Sequence, residues 1–396
     1  MRVFVTGLGI ISAIGNDVHS NYDSLSQGMS GLDYAHFFDS QHRADYKVGE
    51  VKLSNEALFE RLNISNTTNF TRTALLGLHA AKEACTDAGF ETPDAYKTGL
   101  ISANTVGGMD KTETHFLKFS SSPDSQKYIS SHFASDSTQK IADALNITDF
   151  VTTISTACSS SANAIMLGAR MIKSGQLDRA IVGGVDALSK FTFNGFKSLL
   201  LLTKSECRAF DAEREGLNLG EAAAFLVLES EELVKRNAQK VHAEISGYGN
   251  ANDAFHQTAS SSDGEGAYLA MMEALRSSSL QASDIDYINA HGTATPNNDA
   301  SESVALHRIF GDKLPPFSST KAFTGHTLAA AGAVEAVFSI MALKKSRIFP
   351  NLNFETPIEK TGLRPETVLK QKNLLHVLSN SFGFGGNCSA LIFSQP

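Results

Sequence analysis

Three residues of this chain have types and settings that could do chemistry together: a cysteine and two histidines, each at the junction of a strand and a helix. Cys158 follows the β-branched run Val151–Thr156 and precedes the small residues Ser159, Ser160, Ser161 and Ala162. From Asn163 the apolar residues Ile165, Met166, Ala169 and Ile172 recur at helical spacing, and Gly175 stops the pattern. A thiol at a helix start meets unpaired backbone N–H groups and the positive end of the helix dipole. A lowered pKa and a nucleophilic thiolate are therefore expected at Cys158. Most single cysteines are small packing residues, but packing does not require a helix start. His291 lies in NAHGTATPNND and His326 in STKAFTGHTLAAAGAVE. Each follows a strand-like run, DIDYIN or PPFSST, and precedes a helix-like segment. Cysteine beside histidine is the arrangement of an activated nucleophile. Spacing along the chain leaves open whether the three side chains meet.

The elements that must position them alternate strand and helix. RVFVTGLGII reads as a strand, Thr71–Ala88 as a helix, TGLISANTV as a strand, and Ser137–Leu145 as a helix with Ser137 as its N-cap. VTTIST reads as a buried strand leading into the Cys158 unit. RAIVGGVDAL and AAAFLVLE are strand-like, and Glu231–Asn237 begins a charged connecting helix. The rhythm repeats with a strand in HAEISGYG, a helix over Gly266–Ser277, a strand in DIDYINAH and a helix over Asp299–Phe310. It ends with a strand in PPFSST, a helix over Leu328–Leu343, and the strand pair HVLSNSF and CSALIFS. Such alternation predicts an α/β fold with buried sheets. Both halves share the rhythm without a convincing sequence repeat.

Six blocks, running from Met1 to near the last strand, carry a family resemblance. They are MRVFVTGLGIISAIGNDV, STACSSSAN around Cys158, CRAFDAEREGLNLGEAAAFLVLE, INAHGTATPNND, SSTKAFTGHTLAAAGAVEA and NSFGFGGN. In this order they resemble the elongating β-ketoacyl-acyl carrier protein synthases of the thiolase superfamily. The resemblance implies a thiolase-like fold of two similar halves in five layers, α-β-α-β-α. Residues 1–230 would carry the nucleophile and 231–396 both histidines. Cys158 would take an acyl group from an acyl carrier protein. A malonyl thioester would then lose carbon dioxide, and its enolate would attack the acyl-cysteine. His291 and His326 would each give an N–H to the enolate oxygen. Lys321 and Glu335 would form a charged pair that orients and polarises His326. The backbone N–H groups of Cys158 and Phe384 would receive the acyl oxyanion, with Gly383 and Gly385 letting the Phe384 gate approach and move. Thr293, Thr295 and Val106 would contact substrate. No cofactor and no metal are implied. The expected partners are acyl- and malonyl-loaded carrier protein and a second synthase-like subunit, in a homodimer or a heterodimer. Pairing is expected through Ile181–Leu188 and the segment before Cys158, with Phe133 packed against the partner's tunnel.

Departures from the family pattern bear on the substrate. The stretches between Phe193 and Asp211 and between Phe133 and Cys158 look short, the chain reads EGLNLGEAAA for DGFVLGEGAG, and its tail reads GGNCSALIF. The SSS after Cys158 looks more like polyketide-type ketosynthases. Fatty-acid elongation is the leading expectation, and a polyketide-like or aryl polyene pathway the alternative. A thiolase would place a second catalytic cysteine near the C-terminus, where Cys388 lies, but the HGTATP and TKAFTGH blocks argue against it. An initiating synthase would have asparagine where His326 stands, and a non-catalytic partner subunit would lack Cys158.

Composition excludes other classes. The 396 residues carry a formal charge of −8 with no long charge run, which argues against a nucleic-acid surface. Cys85, Cys158, Cys207 and Cys388 form no CxxC pair or zinc spacing, as in a reducing compartment. No apolar run is long enough to span a membrane. Met1 leads directly into a strand, so no signal peptide is expected and a cytoplasmic location is. GLGIISAIG has its third glycine misplaced for the dinucleotide fingerprint GxGxxG, and a strand-to-loop turn explains it. His242-Ala-Glu244 opens like a zinc-deaminase motif, but no PCxxC follows, and it reads as structural.

Overall fold

The computed structural model describes residues 1–65, 69–90 and 95–396. Ten strands form one sheet. The first half contributes β1 (Val3–Ile11), β2 (Thr98–Ala103), β3 (Phe150–Ile154), β4 (Arg179–Asp186) and β5 (Ala222–Ser230). The second contributes β6 (Ala243–Asn252), β7 (Tyr287–Asn289), β8 (Phe317–Ser318), β9 (His376–Phe382) and β10 (Asn387–Ser394). The order is β3-β2-β4-β5-β1 followed by β6-β10-β9-β7-β8. Counted outward from the junction, each half runs first, fifth, fourth, second, third. The directions match as well: the two inner pairings of each half are antiparallel and the two outer ones parallel. The duplication absent from the sequence is present in the topology.

The halves join at β1 and β6 through two register pairs, Phe4 with Glu244 and Val5 with Ala243. Farther along β1 the amides need other partners, because an unpaired buried N–H is costly. Asp87 accepts from Leu8 N–H at 3.0 Å and Glu83 from Ile10 N–H at 2.8 Å. Both carboxylates lie on helix α1 (Arg72–Asp87), whose N-cap Thr71 accepts from Ala74 N–H.

The remaining helices used here are α2 (Ser160–Lys173), α3 (Lys190–Ser198), α4 (Glu265–Ser278), α5 (Pro296–Phe310) and α6 (Ala331–Lys345). Helices α2 and α6 lie between the two halves of the sheet; α1 covers the outer face of the first half, and α4 and α5 that of the second. This makes five layers, α-β-α-β-α, an α/β thiolase-like fold. Every residue of α6 from Ala331 to Leu343 is buried, and all but Gly332, Glu335 and Ser339 are apolar, as a helix packed on every side requires. At Gly332 a Cβ would come within 2.8 Å of Ala162 N on α2, so the two inner helices touch backbone to backbone. Ser161 Oγ accepts from Ala333 N–H at 2.8 Å, supplying a partner at the start of α6.

Several sequence expectations are corrected. The VTTIST strand is not buried: all five residues of β3 are half-buried, because β3 is the outermost strand of its half. Ile181–Leu188 cannot be a pairing edge, since β4 lies between β2 and β5. Ser137 is a buried residue inside the helix Ser135–Ala144, and the N-cap position falls on Ala134 without a side-chain bond. The TGLISANTV strand stops at Ala103, and DIDYINAH contributes only Tyr287–Asn289. Phe133 is 65% exposed in the single chain.

Candidate active site

Cys158 stands on a sharp turn between β3 and α2. The turn is made by Ala157, whose φ of 53° is a left-handed conformation rare for alanine. The serines that follow hold it. Ser160 Oγ accepts from Thr156 N–H at 2.8 Å and donates to Ala157 O at 2.5 Å. Ser159 Oγ lies 2.7 Å from both Thr156 O and Asn387 Oδ1, tying the turn to the second half. Helix α2 begins at Ser160 with Ser159 as its N-cap, so Cys158 precedes the helix and is 6% exposed.

The expected low thiol pKa is not what this setting produces. Burial pushes Cys158 up to about 11, against the pull of the Lys321 charge and of the Phe384 N–H. Removing the thiolate from water costs more than these groups return. The resting nucleophile is a thiol with a base beside it, for His326 Nε2 lies 3.0 Å from Cys158 Sγ.

Each histidine is positioned by its backbone. His326 donates its N–H to Asn218 O at 2.7 Å and accepts from Gly220 N–H at 3.0 Å. The following loop is held by Asp186, which accepts from Ala329 N–H at 2.9 Å. His291 follows β7, where Glu302 of α5 accepts from His291 N–H at 2.9 Å and Gly292 N–H at 2.8 Å. Asp299 accepts from Ala294 N–H and Phe210 N–H. Gly292 has a φ of +34°, and a Cβ there would lie 2.6 Å from Ser319 Cβ, so no side chain fits. The two imidazoles meet edge to face, centroids 5.6 Å apart.

Lys321 serves a different histidine from the one expected. Its Nζ lies 3.3 Å from His291 Nδ1 and 2.5 Å from His291 O, and it pairs with Glu335 from α6. An ammonium can only donate, so His291 Nδ1 accepts and the ring proton sits on Nε2. Burial first and the Lys321 charge second hold both imidazoles well below their usual pKa. Both rings are thus neutral, and His291 donates through Nε2. Burial raises Glu335 to about 7 although Lys321 opposes it.

A cavity of about 200 Å³ joins these groups; Cys158, His291, His326, Thr293, Thr295 and Phe384 line it, with Gly383 and Gly385. Gly383 could carry no side chain, as its Cβ would come 2.7 Å from Thr156 O and 3.2 Å from Cys158 N. The Phe384 ring stacks on Phe196 of α3 at 5.7 Å. Val106 is not among the lining residues; its N–H turns toward Asp186. Cys388 lines the same cavity, but burial pushes its thiol up to about 12 and no base contact accompanies it. Sequence reasoning missed Glu302, Asp299 and Asp186. Acidic residues inside otherwise apolar or small-residue runs, NNDASES and VGGVDA, were their only signal. Among the described residues, no group of three or more His, Cys, Asp or Glu side chains could hold a metal ion.

The family model of the β-ketoacyl synthase N-terminal domain matches residues 1–233, and that of the C-terminal domain residues 242–355. The chain belongs to the β-ketoacyl synthase family. It is 34% identical over 415 residues to 3-oxoacyl-[acyl-carrier-protein] synthase 2 of Vibrio cholerae serotype O1, covering 100% of this chain and 99% of that protein. The same-named protein of Staphylococcus aureus is 32% identical, covering 100% and 98%. Among solved structures, the ishigamide ketosynthase/chain length factor superposes with a TM-score of 0.93 at 29% identity, covering 100% and 99%. A ketosynthase in complex with its chain length factor from Xenorhabdus doucetiae gives 0.84 at 29% identity, covering 100% and 98%. This β-ketoacyl synthase is a condensing enzyme of the acyltransferase type.

The buried Lys321–Glu335 pair yields a test that separates support from chemistry. Lys321→Met leaves Glu335 buried without its partner and is expected to destabilise the fold by roughly 3–5 kcal/mol. Adding Glu335→Leu removes the orphaned carboxylate and is expected to restore most of that stability, read as thermal melting. Malonyl decarboxylation is expected to stay low in the double variant, because His291 Nδ1 has lost its donor. Recovery of decarboxylation with stability would refute the assignment.

Proposed function

We propose that this β-ketoacyl synthase holds an acyl group on Cys158 and condenses it with malonyl-acyl carrier protein. The observation that carries the reading is the 3.0 Å contact between Cys158 Sγ and His326 Nε2, with His291 held as an Nε2–H donor by Lys321 in the same cavity. In the first step the Cys158 sulfur attacks the acyl thioester as its proton passes toward His326 Nε2. The oxyanion is received by the N–H groups of Cys158 and Phe384, and the carrier thiol leaves with a proton. The interaction of the Phe384 N–H with the Cys158 thiol and the close approach of Gly383 to Cys158 N support this. In the second step the malonyl carboxylate leaves as carbon dioxide, and the electron pair moves onto the thioester oxygen between His291 and His326. The enolate carbon then attacks the acyl-cysteine, a C–C bond forms, and Cys158 Sγ departs. Thr293 and Thr295 line the malonyl side. The division into residues 1–230 and 231–396 belongs to this reading, supported by the shared strand order of the halves.

Fatty-acid elongation is the pathway that the named function of the 3-oxoacyl synthase relatives supports. A polyketide-like or aryl polyene pathway is the second reading, favoured by the resemblance to ketosynthases solved with chain length factors. Incubation with acyl carrier proteins bearing different acyl chains, followed by intact-protein mass spectrometry, separates them. Preference for saturated acyl groups supports elongation; preference for polyunsaturated or aryl-capped chains supports the second.

The same reading requires a partner subunit. Strand β3 is a half-buried outer strand, and Phe116, Leu117, Ile129 and Phe133 are exposed apolar residues of the chain segment before it. Large exposed apolar groups of this kind mark an interface. Light scattering at micromolar concentration is expected to give a dimer mass. A monomer with full condensing activity would refute it. A mass shift only on adding a second synthase-like protein would favour the heterodimer and, with it, the second pathway.

A further inference from the structure

A second constellation of nucleophile, base and carboxylate lies away from the condensing cavity. Lys344, on the last turn of α6, contacts His242 Nδ1 through its Nζ. On the other side of the ring, Asp87 Oδ2 lies 2.6 Å from His242 Nε2. His242 is buried and rigidly held, its N–H bonded to Val5 O at 2.8 Å where the two halves meet. Lys344 itself is exposed, and the group opens into a cavity of about 400 Å³ whose lining holds Lys240, Lys344 and Lys345 together with Asp17, Glu83 and Asp87. This cavity shares no lining residue with the one around Cys158.

We propose that Lys344 is an acyl-acceptor site, modified covalently by acyl thioesters. His242 Nδ1 is placed to accept a proton from Nζ, and the Asp87 carboxylate favours the proton on Nε2, the order of groups that activates a weak nucleophile. Asp87 Oδ2 is within reach of the Nε2–H, although that N–H is not aimed squarely at it. Contact with His242, against the cost of burial, holds the Asp87 carboxyl down at about 2, so it is ionised at neutral pH. Partial burial and the charge of Lys240 lower Lys344 from its usual value, while Asp87 opposes them. In the reaction the Lys344 ammonium first releases one proton to water; the neutral Nζ then attacks the thioester carbonyl carbon, a C–N bond forms, a second proton passes to His242, the C–S bond breaks, and the thiol leaves carrying that proton. The product is an uncharged amide at the mouth of the cavity.

The test is incubation of the purified chain with acetyl-coenzyme A, with lysine acetylation followed by peptide mass spectrometry. Lys345, one residue away and without a histidine contact in the structure, is the internal reference. General-base assistance predicts that Lys344 reacts at least about tenfold faster than Lys345. His242→Gln is expected to bring the ratio close to one while condensation continues, and Asp87→Asn to lower it. Equal rates in the unmodified chain overturn the proposal, whatever the variants do. A ratio unchanged in both variants overturns it too.

Discussion

Cys158→Ala is expected to abolish both the acyl-enzyme and condensation. Among the described residues, the side chain removed is the only cavity-lining thiol with a base in hydrogen-bonding reach, His326 Nε2 at 3.0 Å. Intact-protein mass spectrometry after incubation with acyl carrier protein is expected to show no acyl adduct. Persistence of the adduct, or its transfer to Cys388, would refute the assignment. Cys388 is a real competitor by position, since it lines the same cavity, but its thiol is pushed up to about 12 and it has no histidine at hand. Decarboxylation of a malonyl thioester is expected to survive in Cys158→Ala, because both imidazole donors remain. Carbon dioxide release without condensation is the signature to look for.

The histidine variants are expected to split. His291→Ala removes one donor from the enolate and should slow decarboxylation by ~10²–10³-fold, the usual cost of one oxyanion donor. Acyl transfer to Cys158 should remain measurable, because His291 bonds Lys321 through Nδ1 while His326 is the ring at Cys158 Sγ. His326→Ala removes a donor and the base together, so both half-reactions should fall. Single-turnover acylation and carbon dioxide release, measured separately, check this. Equal loss of both half-reactions in His291→Ala would contradict the division of roles. The sequence suggested one shared task for the two histidines; the contact to sulfur distinguishes them.

Local chemistry was legible. The strand–turn–helix around Cys158 and the helix over Glu231–Asn237 follow from patterns within about twenty residues, where propensity and periodicity act. The boundaries of β7 and β2 were not, because an isolated apolar run does not say how many of its residues find a partner strand. Ser137 has a capping side chain and stands inside the helix instead, since tertiary burial started that helix two residues earlier.

The order of motifs along the chain was enough to point to the family, the five-layer fold and the three side chains, Cys158, His291 and His326, that line one cavity. It was enough because those motifs are runs of neighbours whose backbone needs are local: a small-residue turn, a glycine where no Cβ fits, a strand that ends beside a helix. Which of them touch is a matter of contacts across long sequence distances. Cys158 and His326 are 168 positions apart, and Lys321 reaches His291, 30 positions back, rather than His326, five ahead. The packing also decided that β3 is an outer strand and β4 an inner one, though both read as apolar strands. It set the thiol pKa as well: a helix start favours the thiolate, but burial depends on what closes over the sulfur, and here the second half of the chain closes over it.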